Sequence, residues 1–194
     1  GQFLNNDLTI RFARKRRDWS VGDGSLSLSG TARPFIGVDI KAQLAPWVTV
    51  SNTTGSLSNW IKEGAVKSDK EALSYQKMYT IQSLELTPFD WLFISANASV
   101  IWGKRFELGY MAPLMFMTTY QNVIGDFENV GQEINLKLTF PPVGSFYASF
   151  FADEMEFTDP AEFVKRPRNM VAFMAGYKNS VPFLPLTKFT FQYT

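Results

Sequence analysis

Leu92-Phe93-Ile94-Ser95-Ala96-Asn97-Ala98-Ser99-Val100-Ile101-Trp102 is the stretch on which the fold turns. Leu92, Ile94, Ala96, Ala98, Val100 and Trp102 share one face of an extended chain, and Ser95, Asn97 and Ser99 share the other. Side chains alternate across a strand, so a period of two marks a strand with one apolar and one wet face, and a helix would mix the two sets.

The same period recurs along the chain. Ile36, Val38, Ile40, Ala42 and Leu44 oppose Gly37, Asp39, Lys41 and Gln43, while Val130, Ile134, Leu136, Leu138 and Phe140 oppose Gly131, Glu133, Asn135, Lys137 and Thr139. Phe146, Ala148, Phe150 and Ala152 form another apolar row, and Phe189, Phe191 and Tyr193 a last one. Segments 47–54, 74–86 and 169–178 are composed like strands but alternate less cleanly, and 7–13 and 25–30 complete an expected set of about ten.

Short Pro-containing turns, Leu44-Ala45-Pro46-Trp47, Thr87-Pro88-Phe89-Asp90, Pro141-Pro142-Val143-Gly144 and Pro182-Phe183-Leu184-Pro185, alternate with long stretches near 55–73, 103–129 and 154–168. Trp47, Phe89, Trp91, Phe140, Phe146 and Phe183 sit beside the turns. Short turns at one end, long loops at the other and aromatic rings at an interface are the habit of outer-membrane barrels. A soluble β-sandwich gives the same alternation, but its strands run to about five or six residues, whereas a tilted membrane-crossing strand needs about ten. The expected fold is therefore all-β: an antiparallel transmembrane β-barrel of the outer-membrane type, one barrel domain or barrel sector over 1–194, with a short helix in a long loop.

Composition narrows the chemistry. Lys plus Arg is 19 and Asp plus Glu 18, a net charge of +1 that gives no reason to expect nucleic acid. Cysteine and histidine are both absent, which removes disulfides, thiolate nucleophiles, imidazole bases and histidine metal ligands. No run of 18 apolar residues exists for a transmembrane helix, and the opening Gly1-Gln2-Phe3-Leu4 lacks the basic start of a signal peptide.

Four motifs stand in order along the chain: Gly30-Thr31-Ala32-Arg33-Pro34-Phe35; Trp102-Gly103-Lys104-Arg105 with Tyr110-Met111-Ala112-Pro113-Leu114; Gly125-Asp126-Phe127-Glu128-Asn129; and Phe146-Tyr147-Ala148-Ser149-Phe150-Phe151-Ala152-Asp153-Glu154. In this order and spacing they resemble the Wzi capsule assembly family. The resemblance implies a large barrel in the bacterial outer membrane, a periplasmic helical plug and an extracellular face that binds surface polysaccharide. The helical bundle and many of a full member's strands are missing here, so the chain is expected to be a partial barrel whose edges need further chain or a partner chain.

Candidate contacts follow from residue chemistry. Sugars present C–H patches and hydroxyls, which aromatic faces and planar polar side chains match; Tyr110, Tyr120, Gln121, Asn122, Asp126 and Asn129 offer those types, although interior packing uses them too. Asp153, Glu154 and Glu156 lie where a strand runs into a long loop and suit a sugar or cation contact, or simply water. Adjacent positions on a strand point to opposite faces, so Asp153 and Glu154 do not form the facing carboxylate pair of a glycosidase. Arg14-Lys15-Arg16-Arg17 suits phosphates of lipopolysaccharide or an anionic glycan, or an ordinary solvated turn. A short helix around 112–117 is expected to fold into the lumen or cap the mouth. The expected function is non-catalytic, lectin-like attachment of capsular or exopolysaccharide, with outer-membrane lipid and lipopolysaccharide as surroundings and no cofactor or metal; a passive porin is the alternative.

Overall fold

The computed structural model describes residues 1–4, 7–57, 77–103, 107–112, 120, 123–124, 129–153, 170–180 and 187–194. Ten strands form one antiparallel sheet in which each strand pairs with the next in sequence. They are β1 Gln2–Phe3, β2 Leu8–Lys15, β3 Phe35–Ala45, β4 Val48–Leu57, β5 Lys77–Phe89, β6 Leu92–Gly103, β7 Asn129–Phe140, β8 Gly144–Asp153, β9 Met170–Ser180 and β10 Lys188–Tyr193. The helix whose bounds are described, α1, is the one-turn Leu108–Met111, and among the described residues Tyr120, Val123 and Ile124 are helical too. No helix there is long and apolar enough to cross a membrane, which says nothing about strands.

Pairing register sets the faces. Asp39, Thr53, Ile81, Ser99, Gly131 and Asp153 stand opposite one another in a row across β3 to β8, and Lys41, Ser51, Ser83, Asn97 and Glu133 form the next row. Ala42, Val50, Leu84, Ala96, Ile134, Phe150 and Phe173 form a row on the opposite side. The polar rows are the covered ones. Along β7, Glu133 is 2% exposed and Asn135 0%, while Ile134 is 59% and Leu136 39%.

The polar face is covered by the connection from β2 to β3, residues 16–34, here called the strap. Trp19 N–H donates to Leu28 C=O at 3.1 Å, and both side chains join Phe35, Tyr79 and Ile81 in one apolar cluster. Beyond them the tip turns back at 20–24 and reaches β10, where Asp23 N–H donates to Gln192 Oε1 at 2.9 Å. From β5 to β10 is five strand spacings, about 24 Å across a flat sheet. The four residue steps from Trp19 to Asp23 cover at most about 14 Å. The sheet curls round the strap to make both contacts, so the polar face is its concave face. β1 and β10 do not pair with each other, and the sheet is not closed.

A strand at 25–30 is therefore corrected: these residues lie in the strap. Ser and Gly occupy seven of its positions between 20 and 30, residues that favour turns and close approach over a pleated ladder. A one-turn helix lies at 108–111; of the helix expected near 112–117 only Ala112 is described, and 113–119 fall outside the described residues, as does the turn at 182–185. The three hairpin turns that are described sit at one end of the sheet. Each of the first two is stitched to the strand beyond it, with Thr87 N–H donating to Trp47 C=O at 2.9 Å and Thr139 N–H to Trp91 C=O at 2.8 Å.

β4 and β5 alternate weakly in sequence because both of their faces are covered. The outward Asn52, Thr54, Thr80 and Gln82 are buried beneath α1 and its flanks, and the inward Thr53, Ile81 and Ser83 beneath the strap. Gln82 donates to the carbonyls of Tyr110 and Ala112, serving the unpaired C-terminal groups of α1. At Gly55, a Cβ would collide with the Ile36 carbonyl and the Phe35 ring. Gly55→Val should cost about 2 kcal/mol by overpacking, read as a lower urea midpoint with unchanged m-value.

Candidate functional site

A polar cleft of about 510 Å³ lies between the strap and β2–β6, lined among others by Arg11, Arg16, Asp39, Lys41, Glu85 and Asn97. Its wall is set by one buried ion pair. Arg17, the only buried member of the basic run, donates from Nε to Asp39 Oδ1 at 2.6 Å and from Nη1 to the Phe35 carbonyl at 2.8 Å. The guanidinium carbon also sits 4.4 Å from the centre of the Phe35 ring. Lys15 reaches the other oxygen of Asp39 at 3.0 Å, and Thr53 Oγ1 donates to Oδ1 at 2.8 Å. Asp39 thus joins the end of β2, the root of the strap, β3 and β4.

Further along, the strap meets β7, β9 and β10. Ser27 Oγ donates to Glu133 Oε2 at 2.6 Å, Lys178 Nζ lies 2.7 Å from Asp23 Oδ1, and Gln192 Nε2 donates to the Asp23 carbonyl at 3.0 Å. The Asp23 carboxyl is held below its ordinary value of 3.8, chiefly by the hydrogen bond from Lys178.

The residues expected to contact ligand scatter. Among the basic residues, Lys15 and Arg17 turn inward onto Asp39, and only Arg14 and Arg16 remain exposed. Arg14 stands on the convex face beside Ile36, at the long-connection end of the sheet. Arg17 as an anion contact is corrected: its guanidinium is spent inside the fold. Tyr110 is corrected likewise, because its ring is 0% exposed, packed on Trp102 at 5.8 Å and edge-on to Tyr120 at 5.1 Å, with no face left for a sugar. The helix that carries it lies on the convex face.

Tyr120 is partly exposed and donates to Glu107 Oε2 at 2.7 Å. Asn129 is exposed at the start of β7, and Asp153 is half-buried on the concave face at the end of β8. Gln121, Asn122, Asp126 and Glu154 lie outside the described residues. Sequence reasoning missed the strap and its partners; the signal was the Ser/Gly density of 20–30 beside a lone carboxylate at Glu133 and an inward Asp39. Comparison with family models, curated proteins and solved structures found no match for this chain.

Asp39→Ala strands the buried Arg17 charge and should destabilise the fold by on the order of 3 kcal/mol in urea unfolding. For Asp23 the lowered value fixes the sign: its contribution is full above the ordinary carboxylate range and fades as pH falls from 3.8 through the folded value. The strap tip should loosen on acidification, seen as moving amide resonances at 22–24, and Asp23→Asn should show the loosened positions already at neutral pH.

Proposed function

We propose that this chain is a sector of a bacterial outer-membrane β-barrel that binds or attaches surface polysaccharide, as a non-catalytic, lectin-like protein. The observation that carries the membrane part is the inversion of the faces. Ile10, Phe12, Ile134, Phe146, Phe173 and Phe191 are all exposed on the convex side, while Ser95, Asn97, Glu133, Asn135 and Ser149 are buried on the concave side. Water disfavours a contiguous apolar surface of this extent, and lipid accepts it. A soluble sandwich would bury those same rings.

The convex face also carries an aromatic rim at the short-turn end. Phe89 stacks on Trp91 with centroids 5.3 Å apart, and Trp91 on Phe140 at 5.9 Å, with Trp47 exposed nearby. Rings of this kind prefer the membrane–water boundary. Strands β3 to β9 run 10 to 13 residues, long enough to cross hydrocarbon when tilted.

The polysaccharide part rests on the resemblance to the Wzi family, and the topology lends it support. The first motif leads into β3, the second begins on the last two residues of β6, the third ends on the first residue of β7 and the fourth runs along β8 to one residue past its end. Their described residues Phe35, Trp102, Gly103, Asn129 and Asp153 stand at the long-connection end of the sheet, Asn129 exposed and Asp153 half-buried. The strap across the concave face weighs against a freely open pore.

Two measurements test the proposal. Reconstituted in planar bilayers, the protein should be nearly silent where a porin conducts steadily. Surface polysaccharide from the producing cells should be retained by the immobilised protein. Steady conductance without glycan retention would replace the attachment reading with the porin one, and failure to insert into bilayers would remove the barrel.

A further inference from the structure

Beneath the strap, two buried acceptor atoms on neighbouring strands have no hydrogen-bond donor. Asn97 and Glu133 are cross-strand partners on the concave face, 5% and 2% exposed. Glu133 Oε2 takes hydrogen bonds from Asn97 Nδ2 at 2.9 Å and from Ser27 Oγ at 2.6 Å. Glu133 Oε1 and Asn97 Oδ1 have no hydrogen-bond partner at all. Turning the Asn97 amide over would aim its oxygen at the carboxylate, so the amide is fixed by charge.

Nor do the neighbouring hydroxyls serve. The Ser27 hydroxyl donates to Glu133 Oε2, Tyr79 lies 3.4 Å from the Ser27 carbonyl and is hydrogen-bonded with Ser99, and Ser99 lies 3.4 Å from the Gly131 carbonyl. None of them donates to Glu133 Oε1 or Asn97 Oδ1. No lysine or arginine among the described residues forms an ion pair with Glu133. A buried carboxylate without a counter-charge is costly, and a bridging water would satisfy the acceptors but leave the charge.

From these observations we infer that Glu133 and Asn97, roofed by Ser27 of the strap, hold a monovalent hard cation such as sodium or potassium. One carboxylate balances one positive charge, and the remaining donors, an amide oxygen and hydroxyl oxygens, are the hard neutral ligands such ions take. The cation ties the strap to β6 and β7, and the inference stands on the concave face whatever medium surrounds the convex one.

The test is thermal unfolding of the full chain in detergent, with sodium or potassium chloride titrated against N-methylglucamine chloride at matched ionic strength. The midpoint should rise saturably, by on the order of 5 °C once the cation is about a hundredfold above its dissociation constant. Glu133→Gln, whose amide donates to Asn97 Oδ1 and carries no charge, should be insensitive to the cation. Asn97→Asp, which doubles the charge, should turn the preference to calcium, and it serves where Glu133→Gln does not fold. An unchanged midpoint in the unsubstituted chain, an equal rise in Glu133→Gln, a larger rise with calcium than with sodium in the unsubstituted chain, or an unaltered preference in Asn97→Asp would each overturn the assignment.

Discussion

A sheet that turns serines, asparagines and a glutamate toward its concave side must find hydrogen-bond partners for them, and every other arrangement in the molecule follows from how that need is met. Part of it is met within the sheet, where Asn135 Nδ2 donates to Ser95 Oγ at 3.1 Å and Ser149 donates back to Asn135. More of it is met by the strap, which brings Arg17, Asp23 and Ser27 to β3, β9 and β7. Small side chains on the concave rows leave the room the strap occupies. Polar burial of this kind is tolerable only when its partners are present, so strap and sheet specify one another.

The convex side obeys the opposite rule. It is apolar over most of its uncovered extent, Arg14 and Ser56 at the long-connection end apart, and its polar island of Asn52, Thr54, Thr80 and Gln82 coincides with the patch under α1. Trp102 Nε1 donates to Thr80 Oγ1 at 3.1 Å beneath that cover, and Thr54 and Thr80 share a hydrogen bond of 3.0 Å. The exposed and covered parts of one face therefore carry different chemistry, each suited to what lies against it.

That division explains what could be read from the sequence. β3, β8 and β10 have one face against the strap or the cleft and the other uncovered, and β6 and β7 keep the same contrast with an apolar outer row that is covered by α1 only at Val100, Trp102 and Val130, so their alternation is clean enough to place them within a residue or two. β4 and β5 are covered on both faces, and with no contrast to maintain, Asn52 and Gln82 replace aliphatic residues at outward positions. The strap escaped because Leu26 and Leu28 alternate with serines as a strand's residues would, and only tertiary contact shows Leu28 packed beside Trp19. The basic run was legible as charge but not as geometry: a strand's alternation sends Arg14 outward and Lys15 inward, while Arg17 is claimed by Asp39, 22 residues away. Tyr110 had the right chemistry for a sugar, and its burial depends on Trp102 and Tyr120, which periodicity cannot bring together.

The contact between Asp23 and Gln192 spans 169 residues. Its two partners belong to nearly opposite ends of the chain, so closing it carries one of the largest loop entropies available to the molecule, repaid only after the intervening strands have shortened the path. The strap can meet Asp39 as soon as β3 forms, but its tip docks only when β9 supplies Lys178 and β10 supplies Gln192. Filling of the concave side is thereby timed to the end of assembly: the anchor is set early, the tip late, and the tip contact becomes a mark that the last strand is in place.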